Sequence, residues 1–209
     1  MNPELWTQVD AYLVEKLVPF DAALNEALES STRAGLAPHS VSPTQGKFLH
    51  LLARSIGARR ILEIGTLGGY STIWLARALP TDGHLVTLEV DADCARVARA
   101  NIEMAGLAER TDLRLGRAVD TLAQLVAEGA HPFDFIFIDA DKPSNPEYLG
   151  WALRLSRPGT LIIGDNVVRE GAVVDSASDD PRVRGVRHFY DLLAGEERVS
   201  ATAIQTVGE

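Results

Sequence analysis

Asp139, Lys142, Asp165 and Asn166 are the residues of this chain best equipped for metal and proton chemistry. Asp139 follows the apolar run FDFIFI, and Asp165–Asn166 follow TLIIG. If these runs are neighbouring parallel strands, their ends lie side by side and the three oxygen donors converge. Two carboxylates and an amide carbonyl, with no thiol or imidazole, suit a hard cation such as Mg2+, Mn2+ or Ca2+. Three protein ligands leave positions on a six-coordinate ion for a bidentate substrate. The competing reading is that the aspartates cap the helices that follow. The Asp–Asn pair and the adjacent Asp141–Lys142 favour the cation. Lys142 is either an ordinary surface lysine or a general base whose ammonium form a nearby cation disfavours.

A second cluster lies upstream, in Glu63-Ile64-Gly65-Thr66-Leu67-Gly68-Gly69-Tyr70-Ser71. Glycines here allow a tight turn and close approach of a ligand to the main chain. Their G-x-x-G-G spacing departs from the G-x-G-x-x-G of dinucleotide binders, which argues against a nicotinamide-dependent oxidoreductase. Glu89 stands where a carboxylate can accept both hydroxyls of a ribose; the alternative is a solvated strand-end acid. Glu63 reads as an acid buried under the loop, holding loop amides, with its carboxylate near a ligand's amino group.

These residues need a scaffold that places them together. Residues 3–56 read as helical, with Ser42 and Pro43 opening a helix that runs to about Ile56. Beyond residue 58, strands at 60–64, 84–89, 111–115, 133–138, 160–163 and 199–206 alternate with helices at about 70–79, 91–105, 118–128, 144–156 and 181–194. Continuous apolar runs mark strands covered on both faces. The alternation predicts an α/β fold with a doubly wound, mostly parallel sheet and an N-terminal helical cap over residues 1–57, the α/β core following over 58–209. In such a sheet the ligand lies beyond the carboxyl ends of the strands. Glu63–Gly65, Glu89, Gly116, Asp139 and Asp165–Asn166 all fall there.

The 209 residues fit one domain, with 46% hydrophobic and 23% charged residues. A net charge of −9 argues against nucleic acid as a partner. One cysteine, Cys94, excludes a disulfide framework and suits a reducing compartment. No apolar run is long enough to span a membrane, and the first 20 residues are not a secretory signal, so a cytoplasmic location is expected. The five histidines lack ligand spacing. Cys94 and Trp74 read as packing residues. Tyr148 and Trp151 could wall an aromatic substrate or pack in the core; Arg182, Arg184 and Arg187 read as a solvated helix face.

ILEIGTLGGYSTIWLA followed by VTLEVD resembles the cofactor half of class I S-adenosylmethionine-dependent methyltransferases. VSPTQGKFL, FDFIFIDADK and GDNVV, in order around it, narrow the resemblance to cation-dependent O-methyltransferases of catechol and caffeoyl-CoA type. The resemblance implies methyl transfer from S-adenosylmethionine to a hydroxyl, expected to belong to a vicinal aromatic diol, in a homodimer. It implies that Asp139, Asp165 and Asn166 are the metal ligands, with Mg2+ the expected ion, and that Lys142 is the catalytic lysine. It matches Gly65 and Thr66 to the cofactor loop, Ser71 to a serine near the methionine carboxylate, Ala118 to the backbone beside the adenine, and Asp141 to the cofactor side. Val41 replaces a familiar threonine or serine, leaving only main-chain contact there. The alternative is a non-catalytic nucleoside-binding protein of methyltransferase-like fold, against which the metal triad and Lys142 speak.

That resemblance also implies a seventh, antiparallel strand between the fifth and sixth. Six strands are counted, so the natural chain is expected to continue past Glu209 with a glycine-containing turn and another apolar strand. Otherwise a second subunit covers the open edges.

Overall fold

The computed structural model describes residues 3–205. Five strands, β1 (Arg60–Ile64), β2 (His84–Glu89), β3 (Thr111–Leu115), β4 (Phe133–Ile138) and β5 (Ser156–Gly164), form one sheet in the order β3-β2-β1-β4-β5. Every pairing is parallel. The order reverses at β1, which has β2 on one side and β4 on the other, so the topological switch point lies at their carboxyl ends.

Side chains of the strands alternate between two apolar layers, both buried. Ile61, Leu85, Phe135 and Phe137 face α2 (Ala22–Arg33), α3 (Pro43–Ser55), α4 (Tyr70–Ala76) and α5 (Ala92–Met104). Leu62, Ile64, Val86, Leu88, Ile136 and Ile138 face α6 (Ala118–Ala127) and α7 (Asn145–Arg154). This is why FDFIFI has no polar face: all six of its residues are buried. The amino-terminal cap therefore contributes to the core, and only α1 (Pro3–Leu17) has no fully buried residue among those described. Local chemistry starts these helices. Asp21, Ser42 and Asp91 each accept a backbone N–H at the N-cap of α2, α3 and α5. Asp21 also pairs with Arg77 at 2.8 Å, tying the start of α2 to the end of α4.

Two expectations change. β5 begins at Ser156 rather than 160, because a register shift lets Phe133 pair with Ser156 while Phe135 pairs with Leu161. The strand at 199–206 is absent as far as residue 205; residue 206 lies outside the described residues. Residues 200–205 are exposed coil. No strand stands beside them among the described residues, so their backbone groups have no ladder to join. α8 (Pro181–Gly195) instead closes this end, burying Val183, Val186 and Phe189. No helix among the described residues is long and apolar enough to cross a membrane.

Candidate active site

The carboxyl ends of the strands form a hydrogen-bonded row. Gly116 N donates to Glu89 O, Gly65 N to Leu88 O, Asp139 N to Ile64 O and Asp165 N to Ile138 O, at 2.8–3.0 Å. Gly65, Gly116, Asp139 and Asp165 thus stand one step past the ladder, in register, while Glu89 is the last residue of β2. Their proximity is close enough to constrain residue type: a Cβ on Gly65, where φ is +100°, would lie 2.0 Å from the Asp139 carbonyl oxygen.

The glycine loop hangs from Glu89. Its Oε2 accepts from Thr66 N (3.3 Å) and Leu67 N (2.8 Å), and its Oε1 from Val90 N and Asp91 N, both at 2.8 Å. Glu63 does not hold loop amides, contrary to expectation. It lies inside the β1 ladder opposite Thr87, fully buried, and accepts three hydroxyls: Ser71 Oγ at 2.6 Å, Thr72 Oγ1 at 2.5 Å and Thr87 Oγ1 at 2.7 Å. Burial pushes its carboxyl up to about 7, against the pull of those hydroxyls and with help from the charge of Asp139. Ser71 is thereby fixed at the start of α4. Thr66 is buried and shares a 2.6 Å hydroxyl contact with Thr87. Ala118 opens α6 just beyond β3. Val41 packs its side chain into the first apolar layer.

At the neighbouring strand ends, Ile138 pairs with Gly164, which sets Asp139 beside Asp165. Burial raises the pKa of Asp139; Lys142 lowers it and Asp165 raises it. Lys142 is 7% exposed, and its Nζ donates to Asp139 Oδ1 at 2.9 Å. The turn carrying it lies under α8: a Cβ on Gly185 would come 2.2 Å from the Lys142 carbonyl oxygen. Asn166 adopts a left-handed φ of +52°, and its N–H donates to Asp165 Oδ1 at 2.6 Å. Asp141 is exposed and accepts from Ser144 Oγ and Tyr148 OH, each at 2.5 Å. Tyr148 itself is buried in the second apolar layer, and Trp151 packs against that layer.

Two contributors are not evident from sequence patterns. Asn101 of α5 donates Nδ2 to the Gly68 carbonyl at 2.8 Å and accepts Ser30 Oγ at 2.8 Å, clamping the glycine loop between α2 and α5. Gln45 of α3 donates Nε2 to Asp165 Oδ2 at 2.7 Å. No helical or strand periodicity marks either residue.

Among the described residues, no group of three or more His, Cys, Asp or Glu side chains stands together as a ready ligand cluster. The site instead offers two adjacent carboxylates and one amide. That donor set fits a hard cation, and two close, partly shielded carboxylates whose charges repel are the arrangement a cation relieves.

Comparison with known proteins agrees with this architecture. The family model described as O-methyltransferase matches residues 17–209. A catechol O-methyltransferase from Niastella koreensis is 54% identical over 208 residues, covering 100% of this chain and 94% of the relative. One from Mycobacterium tuberculosis is 49% identical, covering 96% and 89%. The O-methyltransferase from Bacillus cereus, solved in complex with SAH, superposes with a TM-score of 0.98 at 60% identity, covering 99% of this chain and 94% of that one. With a family model spanning nearly its whole length and relatives of about half-identical sequence along it, the chain belongs to the O-methyltransferase family.

Proposed function

We propose that the protein methylates one hydroxyl of a small vicinal aromatic diol, using S-adenosylmethionine and a divalent cation, with Mg2+ the expected ion. The observation that carries this reading is the pairing of Asp139, in ion-pair contact with Lys142, and Asp165–Asn166 at adjoining strand ends one strand from the glycine loop. The names of the two curated relatives support a catechol-type acceptor. Solved relatives in complex with SAH and with SAM support the cofactor.

In this reading Asp139, Asp165 and Asn166 hold the cation. When bound, it supplies positive charge and open positions that orient both oxygens of a diol and acidify one. Gly65, Thr66, Ser71, Glu89, the main chain at Val41 and Ala118, and Asp141 line the cofactor's place, with Glu63 beneath them. Glu89 positions the loop by holding its amides; its two oxygens already accept four backbone N–H groups, so a ribose hydroxyl binds there by sharing or displacing one of these bonds. Lys142 Nζ in its neutral amine form, not as the ammonium that pairs with Asp139, receives the proton of the reacting hydroxyl, and its burial limits competing water. Among the described residues, the side chains around Lys142 offer no activated nucleophile, which favours direct displacement with both partners held at near-attack distance.

The test is methylation of a catechol followed by product formation. EDTA should abolish turnover, Mg2+ or Mn2+ should restore it, and a monophenol should be a poor acceptor. Full activity in chelator would refute the cation, and equal turnover of the monophenol would refute the diol.

A further inference from the structure

The cation reading names the residues that hold the ion; the structure also shows what aims one of them. We infer that Gln45 is a positioning residue for Asp165, so that the amino-terminal helices take part in setting the affinity of the cation site. The inference rests on that reading of Asp139, Asp165 and Asn166.

Gln45 and Asp165 are 120 positions apart in the chain, yet Nε2 meets Oδ2 at 2.7 Å. Both oxygens of Asp165 are thereby engaged from fixed directions, Oδ1 by the N–H of Asn166 at 2.6 Å and Oδ2 by Gln45. A carboxylate has about four lone-pair sites, so two bonds restrict its rotation and still leave electron pairs for a cation. The chemistry of the donor matters. An amide is neutral at every working pH, so it orients Asp165 without cancelling the negative charge a cation needs. A lysine at the same place would compete with the ion.

The helix holds Gln45 in place as firmly as Gln45 holds the aspartate. Its own N–H donates to the N-cap Ser42 Oγ at 3.2 Å, and Pro43 fixes the first helical position. Its neighbour Gly46 lies flush against the Trp74 indole, where a Cβ would come 2.4 Å from Cδ1. Helix α3 therefore packs closely on α4 beside Gln45, which reaches Asp165 from that packed face. Outer partners of this kind orient a ligand and tune its basicity, and their loss weakens metal binding by about 10–100-fold.

The experiment compares wild type with Gln45→Ala and Gln45→Met, the second keeping length and apolar bulk while deleting the donor. Mn2+ affinity is read by electron paramagnetic resonance, S-adenosylmethionine affinity by calorimetry, and folding by thermal unfolding. Both variants should bind Mn2+ about 10–100-fold more weakly and keep cofactor affinity within about twofold. Wild-type Mn2+ affinity in Gln45→Met would overturn the inference and leave the cation reading intact. Equal losses of cofactor and metal affinity would also overturn it, because Gln45 would then act on the fold at large. Wild type that binds no Mn2+ would remove the cation reading itself, and the inference with it.

Discussion

Replacing Glu63 by Gln removes a buried titration whose sign follows from burial and whose size is about 2 kcal/mol. Glu63 is fully buried beneath the glycine loop, and burial raises its carboxyl from 4.5 to about 7 in the folded protein. Between those values the folded chain holds a proton that the unfolded chain has released. The stabilising contribution is therefore complete below about 4.5 and is lost as pH rises through about 7. Applying the linkage relation with these two values gives about 2 kcal/mol of stability at pH 5.5 and almost none at pH 8. Gln cannot titrate, and it keeps one carbonyl oxygen for the hydroxyls of Ser71, Thr72 and Thr87. Urea unfolding of the ligand-free protein at pH 5.5 and pH 8 isolates the effect as a difference of differences. Whatever Glu63→Gln costs at a single pH, the wild type should lose about 2 kcal/mol more than the variant on going to pH 8. Parallel pH dependences would show that the three hydroxyls keep Glu63 ionised and that burial does not dominate.

Other substitutions probe the site more directly. Lys142→Ala should lower kcat by about 10²–10⁴ with cofactor affinity unchanged in calorimetry, and Lys142→Arg should rescue poorly because guanidinium stays protonated; near-normal kcat in Lys142→Ala would exclude lysine as the base. Gly65→Ala should cost about 1–3 kcal/mol in urea unfolding and lower activity, because its Cβ would meet the Asp139 carbonyl oxygen 2.0 Å away; wild-type stability would mean that the row of strand ends yields easily.

The parts of this fold legible in sequence are those governed by local pattern. The strands β1, β2 and β4 fall where their apolar runs predict, because these runs are buried on both faces, whereas the half-exposed TDLRL of β3 is placed by the strand–helix alternation. β5 is longer than its apolar run because Ser156 already pairs with Phe133, and the exposed Arg157-Pro158-Gly159 bulges out before Leu161 resumes the pairing at Phe135. The VSATAIQT run reads as a strand by β propensity, but propensity without a partner forms no ladder. In the site, the acids at strand ends are legible because topology places them. Their division of labour is not. Glu63 and Glu89 are both strand acids near one loop, and only the register that sets Glu63 opposite Thr87 shows that it meets hydroxyls while Glu89 meets amides. Gln45 and Asn101 act through contacts across the fold, which no local pattern encodes.

The same contacts change what the glycine loop means. Read alone, its glycines invite a ligand to approach the backbone. In the folded chain two of them answer to the protein first. Gly65 makes room for the main chain of Asp139, and Gly68 for Ser31 of α2, whose Oγ would stand 1.9 Å from an added Cβ. The loop is pressed between β4 and the cap, hung from Glu89 by two amides and clamped at the Gly68 carbonyl by Asn101. Its shape is set by packing and hydrogen bonds within the protein, so a ligand entering there meets a preorganised surface and spares the entropy of ordering it. The cap helices hold one side of that loop through Ser31 and reach Asp165 through Gln45. The cap helices thus support both the glycine turn and the oxygen-donor cluster.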